Sequence, residues 1–111
     1  MGIRPFELRL VDRGKGRHFS VAFPIDAEED VNPCLRTAND IVRDFVFACD
    51  GTQSFTAGIR LTRVKFHSCS LICHAVALKI PIPADNEICQ DCVRARAEML
   101  VDRVKTAILQ S

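Results

Sequence analysis

The chain contains no tryptophan and no tyrosine, so all seven of its aromatic residues are phenylalanines. Proteins that bind single-stranded nucleic acids stack bases on aromatic side chains at an exposed surface. Most of these phenylalanines alternate with polar residues and are expected to face a core. The sequence therefore shows no stacking platform, and we do not expect nucleic acid as a partner.

Long hydrophobic runs and an excess of one charge are also missing. No apolar run approaches the ~18 residues that span a bilayer, and Met1–Glu7 contains no apolar segment typical of a secretory signal. The formal net charge is +1, which favours neither nucleic acid nor an anionic membrane. We therefore expect no membrane association and a cytoplasmic location, where the six cysteines would be reduced thiols.

Catalytic signatures are absent as well. The sequence has no nucleophile elbow, no phosphate-binding glycine loop and no paired-carboxylate motif. The segment Gly14–Gly16 is too short for a phosphate loop and is typical of a hairpin turn. The sequence predicts no catalytic residue and no cofactor, and no motif in it identifies a family.

What the sequence does contain is one hydrophobic pattern that occurs twice. A chain of 111 residues with 48% apolar content is expected to form a single domain, 1–111. The pattern predicts two strands followed by a helix in each half, 1–51 and 52–111. We predict an α+β fold of order ββαββα, with a four-stranded antiparallel sheet and both helices on one face.

In the first half, alternation over Phe6–Val11 and Phe19–Ile25 predicts a hairpin. Asn32 and Pro33 are typical of a helix start, and Gly51 of a helix end. The apolar stripe of this helix is Leu35, Ala38, Val42, Phe45 and Cys49. Further apolar residues at Ile41, Val46 and Phe47 widen the stripe beyond what one sheet contact requires.

In the second half, alternating apolar residues begin at Phe55, and the alternation changes phase before Val64, which predicts a β-bulge. A clear strand follows over Ile72–Ile82. Asp85 is expected to cap the last helix. The stripe of that helix is Cys89, Val93, Ala97, Leu100, Val104 and Ile108.

A surface for a second copy of the chain is predicted on the sheet face away from the helices. Small apolar residues share that face with Val11 and Ala22, and they lie among Glu7, Arg9 and Lys79. The residues predicted for the interface are Leu71, Cys73, Ala75 and Ala77. Phe47 on the first helix is the alternative contact. A contiguous apolar patch of this kind is typical of a partner surface, so we expect a homodimer.

The cysteines and histidines suggest a zinc site, but strand geometry argues against one. Cys89 and Cys92 form a C-x-x-C pair whose thiolates share one side of a helix. Cys69 and Cys73 would be ~13 Å apart along a strand, too far for two sulfurs on one ion. We predict no metal. If there were one, Cys89 and Cys92 would bind it with Cys69 or Cys73.

Basic residues cluster locally, in the first turn and along the third strand. They are Arg13, Lys15, Arg17, Arg60, Arg63 and Lys65. A solvated charged face explains them without a ligand, although a nucleic-acid-binding protein would use them for phosphates.

Binding rather than catalysis is therefore the predicted activity, through a protein-interaction or small-ligand module. One alternative is a small enzyme whose site forms at a dimer interface. The other is a nucleic-acid-binding or zinc-dependent regulatory domain.

Overall fold

The computed structural model describes residues 2–13, 16–48, 54–67, 71–83 and 87–110, except the side chains of Arg13 and of residues 87–89. The strands are β1 (Arg9–Arg13), β2 (Gly16–Ile25), β3 (Val46–Phe47), β4 (Phe55–Thr56), β5 (Gly58–Lys65) and β6 (Ile72–Ile82). The helices are α1 (Val31–Asp44) and α2 (Glu87–Gln110), and a 3-10 turn, Glu28–Asp30, precedes α1.

The main sheet has four strands in the order β1-β2-β6-β5, and every neighbouring pair is antiparallel. Both helices pack on one of its faces, where they share a core with the sheet. The predicted α+β class and the hairpin between β1 and β2 are confirmed. A second, two-stranded sheet of β3 and β4 adds to the predicted ββαββα order.

The helix α1 begins and ends earlier than its sequence predicts. It starts at Val31, so Pro33 occupies the third helical position, where the missing N–H costs no helical hydrogen bond. It ends at Asp44, because Phe45 adopts an extended conformation. The prediction that the helix continues towards Gly51 is therefore wrong.

Aromatic packing explains this early end. Phe47 lies in β3, fully buried, and its ring stacks on Phe55 of β4 with centroids 5.2 Å apart. The Phe45 ring contacts Phe47 at 5.2 Å and lies under the guanidinium of Arg96 at 4.6 Å. Burying both rings in the core requires alternate extended residues, whereas a continued helix would have carried Phe47 away from Phe55.

The predicted bulge in β5 is also wrong. Its pairing with β6 runs without interruption from Gly58 opposite Lys79 to Lys65 opposite Ile72. The apparent change of phase arises because the strand is apolar on both faces. Ile59 packs against the helix-side core, whereas Val64 packs into a smaller cluster on the other face.

That other face, which we call the open face, is the one opposite the helices. The register places on it Arg9, Val11, His18, Ser20, Ala22, Pro24, Arg60, Thr62, Val64, Cys73, Ala75, Ala77 and Lys79. One end of it is covered within the chain, because Ile3 and Phe66 pack with Ala22 and Ala75. The prediction that Arg9, Val11, Ala22, Cys73, Ala75, Ala77 and Lys79 share this face is confirmed, but the exposure predicted for Ala75 is wrong.

The N-terminal segment, residues 2–8, is not part of the first strand, contrary to the prediction that the strand begins at Phe6. Phe6 has φ 64°, a left-handed conformation that is costly for a residue with a side chain. Its ring packs 5.7 Å from the ring of Phe23, and its N–H donates to the Ala22 carbonyl at 3.0 Å. These contacts hold a turn that sends the preceding residues across to β5.

The stripe predicted for α2 is confirmed where its side chains are described. Its buried members are Val93, Ala97, Leu100, Val104 and Ile108, joined by Val101. The predicted cap at Asp85 and the side chain of Cys89 lie outside the described residues.

Candidate functional site

The outer edge of β5 presents backbone hydrogen-bonding groups. The Ile3 N–H donates to the Lys65 carbonyl at 2.9 Å, and the His67 N–H donates to the Ile3 carbonyl at 3.1 Å, on the side away from β6. Backbone groups alternate sides along a strand. It follows that the N–H and C=O groups of Ile59, Leu61 and Arg63 also point outward, and among the described residues no further strand pairs with them.

A groove runs beside this edge, between α1 and β5. It has a volume of about 440 Å³ and is lined by Asn32, Leu35, Arg36, Asn39, Ile59, Arg60 and Leu61. We call it the α1–β5 groove. Its floor is apolar, and Leu61 keeps 40% of its surface exposed. Two arginines and two asparagines contribute polar atoms, and the described lining includes no carboxylate.

Two other depressions differ from this groove in charge and position. One, of about 510 Å³, lies between the C-terminal halves of the helices and includes Asp44, Asp102 and Arg103. Another, of about 420 Å³, lies between residues 6–8 and α2 and mixes acidic with basic side chains. Neither borders the outer edge of β5, so the α1–β5 groove alone combines an apolar floor with outward backbone groups among these three depressions.

The residues predicted for a dimer interface do not form one exposed surface. Leu71 is 73% exposed, and Cys73 and Ala77 are half-buried. Ala75 and Phe47 are each 0% exposed, one beneath Ile3 and Phe66 and the other in the aromatic cluster. The predicted exposure of these two side chains is wrong, because the chain itself already covers them.

The predicted basic residues are not gathered into one patch either. Arg17 lies opposite Ile82, and Lys65 lies opposite Ile72, at the other end of β6 and ten residues away. That separation is about 33 Å. Arg17 also donates to the Gln90 side-chain oxygen at 2.8 Å. Lys15 and the Arg13 side chain lie outside the described residues.

Three of the basic residues remain together on β5. Arg60 lies on the open face, and Arg63 and Lys65 lie on the helix side of the same strand; all three are exposed. Cationic side chains on an edge strand are a common protection against unwanted strand pairing. The sequence therefore showed the cluster of cations on this strand, but it identified neither the edge nor the groove beside it.

The cysteines of the predicted zinc site are dispersed where they are described. Cys73 is half-buried on β6 and its thiol donates to the Leu71 carbonyl at 3.5 Å, whereas Cys92 is exposed on α2. Cys69 and the Cys89 side chain lie outside the described residues. Within the described part no three His, Cys, Asp or Glu side chains converge. The absence of zinc stays a prediction.

Neither described helix combines the length and hydropathy that crossing a membrane requires. Comparisons of the chain with protein-family models, curated proteins and solved structures find no match. The outer edge of β5 and the groove beside it are therefore the features from which a function can be inferred.

Proposed function

We propose that this protein is an interaction module that binds an extended segment of a partner protein along the outer edge of β5. The segment joins the sheet as a fifth strand, and alternate side chains enter the α1–β5 groove. Main-chain hydrogen bonds then provide affinity and the groove provides selectivity, as in other cases of strand addition.

One observation carries this proposal: the chain already pairs part of itself with this edge. Ile3 forms a parallel bridge with Phe66 immediately after β5, using the two backbone hydrogen bonds described above. The remaining edge, Gly58–Val64, spans about 23 Å. It has room for a segment of six or seven residues.

A second copy of the chain is a weaker candidate for this edge. Pairing β5 with β5 would place Arg60, Arg63 and Lys65 of both copies on two adjacent strands. Like charges on neighbouring strands are destabilising, and edge cations disfavour such self-pairing. A segment of different sequence carries no such repulsion.

The proposal is tested with random octapeptides displayed on bacteriophage and panned against the full chain. Enriched peptides are synthesised with a fluorescent label, and their Kd is measured by anisotropy. The informative variant is Leu61→Pro, which removes an outward N–H that the sheet does not use; proline is tolerated at such edge positions. Leu61→Val keeps the N–H and is the matched control.

We expect peptides that bind the wild-type chain with a Kd below ~100 μM. Binding should weaken at least tenfold in Leu61→Pro and less than threefold in Leu61→Val. Arg63→Pro removes a second outward N–H and repeats the test if Leu61→Pro melts early by circular dichroism. Equal binding to the proline and valine variants would contradict strand addition, as would a library without binders.

A further inference from the structure

We infer that the bound segment is acidic and carries its charges at fixed positions, an inference that rests on the proposed strand addition. Five successive positions of the segment lie opposite β5, and their side chains should be apolar, acidic, apolar, of any type, and acidic. These positions face Ile59, Arg60, Leu61, Thr62 and Arg63 in turn.

The alternation of β5 sets this pattern. Ile59 and Leu61 point to the helix side, where they line the α1–β5 groove with Leu35. Side chains of an added strand that lie beside them enter the same groove, so they should be apolar. Val or Ile would fit best, because β-branched residues also favour the extended backbone.

The intervening positions meet arginines. Arg60 lies on the open face, so the neighbouring side chain of an added strand lies there too. Arg63 lies two residues beyond Leu61 on the helix side. Neither arginine, nor Arg36 across the groove, forms an ion pair within the described residues. Carboxylates at the two facing positions would give each β5 arginine a partner.

The direction in which the segment runs along β5 determines the order of these residues in its sequence. In an antiparallel segment, acetyl-glutamate-threonine-valine-glutamate-valine-threonine-amide places its charges against Arg63 and Arg60. In a parallel segment the sequence threonine-valine-glutamate-valine-threonine-glutamate does so. Both peptides are used as labelled probes, together with versions in which glutamine or lysine replaces both glutamates.

In one of the two directions, the glutamate peptide should bind the wild-type chain at least fivefold more tightly than the glutamine peptide. Exposed ion pairs provide effects of this size. The ratio should fall by half or more in 0.5 M salt, because such pairs are screened. The lysine peptide should be the weakest of the three.

Charge reversal gives the sharper test. Arg60→Glu combined with Arg63→Glu should invert the order, so that the lysine peptide binds more tightly than the glutamate peptide. Arg60→Glu alone should remove the preference for the glutamate peptide, because one facing pair becomes repulsive while the pair with Arg63 stays attractive. Arg9→Glu makes the same change of net charge on the open face but on β1, the opposite edge of the sheet, and should keep the wild-type order. Arg63→Glu repeats the test at the second acidic position.

Each outcome separates this inference from the function on which it rests. If glutamate and glutamine peptides bind equally and both weaken in Leu61→Pro, strand addition stands and the acidic pattern is overturned. If Arg9→Glu reduces the preference for the glutamate peptide as much as Arg60→Glu does, only the overall charge matters and the positions are wrong. If no peptide binds in either direction, the proposed function itself is contradicted.

Discussion

At the scale of single residues, neighbours on β6 differ sharply in what they contribute to stability. Leu78 is 1% exposed in the helix-side core, whereas Lys79 is exposed on the open face. Leu78→Ala should lower the free energy of unfolding by ~2–5 kcal/mol, as truncation of a buried leucine does. Lys79→Ala should change it by less than ~0.5 kcal/mol. Urea melts giving equal losses for the two variants would show that the strand's two faces are misassigned.

Gly2 offers a second test, because it approaches the backbone of the residues after β5. A Cβ built there would lie 2.7 Å from the His67 nitrogen and 2.8 Å from the Phe66 carbonyl carbon. Gly2→Ala should therefore cost ~1–3 kcal/mol, the range for overpacking, and should speed amide exchange of His67. Gly16→Ala is the control, since nothing lies within 4 Å of its Cβ position. Unchanged exchange in Gly2→Ala would argue against the close packing of the N-terminal segment.

At the scale of elements, the end of α1 is the feature that the sequence pattern predicted least well. Val46 and Phe47 are adjacent in β3, but Val46 is 45% exposed and Phe47 is fully buried. Phe47→Asp should abolish cooperative folding, because it buries a carboxylate among aromatic rings. Val46→Asp should melt within a few degrees of the wild-type chain. Thermal melts followed by circular dichroism make the comparison. Similar melting temperatures for the two variants would contradict the burial of Phe47 and support the predicted continuation of the helix.

The errors at this scale share a physical cause. Helical spacing over Leu35–Cys49 fits a continued helix as well as it fits a helix followed by a core-facing strand. Only the presence of Phe55 beside Phe47 favours the second arrangement. Likewise, Ile59 and Val64 fit a bulged strand with one apolar face or a regular strand with two. Val64 can be apolar on the open face because Ile3 packs in the same cluster. That contact joins residues more than sixty positions apart in the sequence.

At the scale of the whole molecule, the open face remains the predicted surface for a homodimer, although the residue that tests it changes. Ala75→Asp would place a carboxylate inside the protomer, so the half-buried Ala77 is the better position. Light scattering at ~50 μM should find a dimer that Ala77→Asp converts to a folded monomer. Arg9 and Lys79 lie on this face with like charge, so the dimer should tighten as salt rises. A wild-type monomer at every salt concentration would refute the prediction.

The sequence by itself determined several of the elements and the faces of their residues. Alternation and helical spacing are local consequences of backbone geometry, and they predicted the β1–β2 hairpin, β6, the stripe of α2 and the α+β class. The cluster of cations on β5 was visible in the sequence as well. The function of that cluster was not visible in the sequence, because a cationic strand shows the same residue pattern in the middle of a sheet and at its edge.

The tertiary structure alone decided the order of the strands and therefore the candidate site. Placing β6 between β2 and β5 leaves one side of β5 unpaired, and packing α1 across the same strand creates the groove beside Leu61. Both depend on contacts between residues far apart in the chain, whose energies are set by burial and fit rather than by local pattern. Other tertiary contacts buried Ala75, beneath Ile3 and Phe66, and Phe47, against Phe55. The pattern alone had left both side chains exposed.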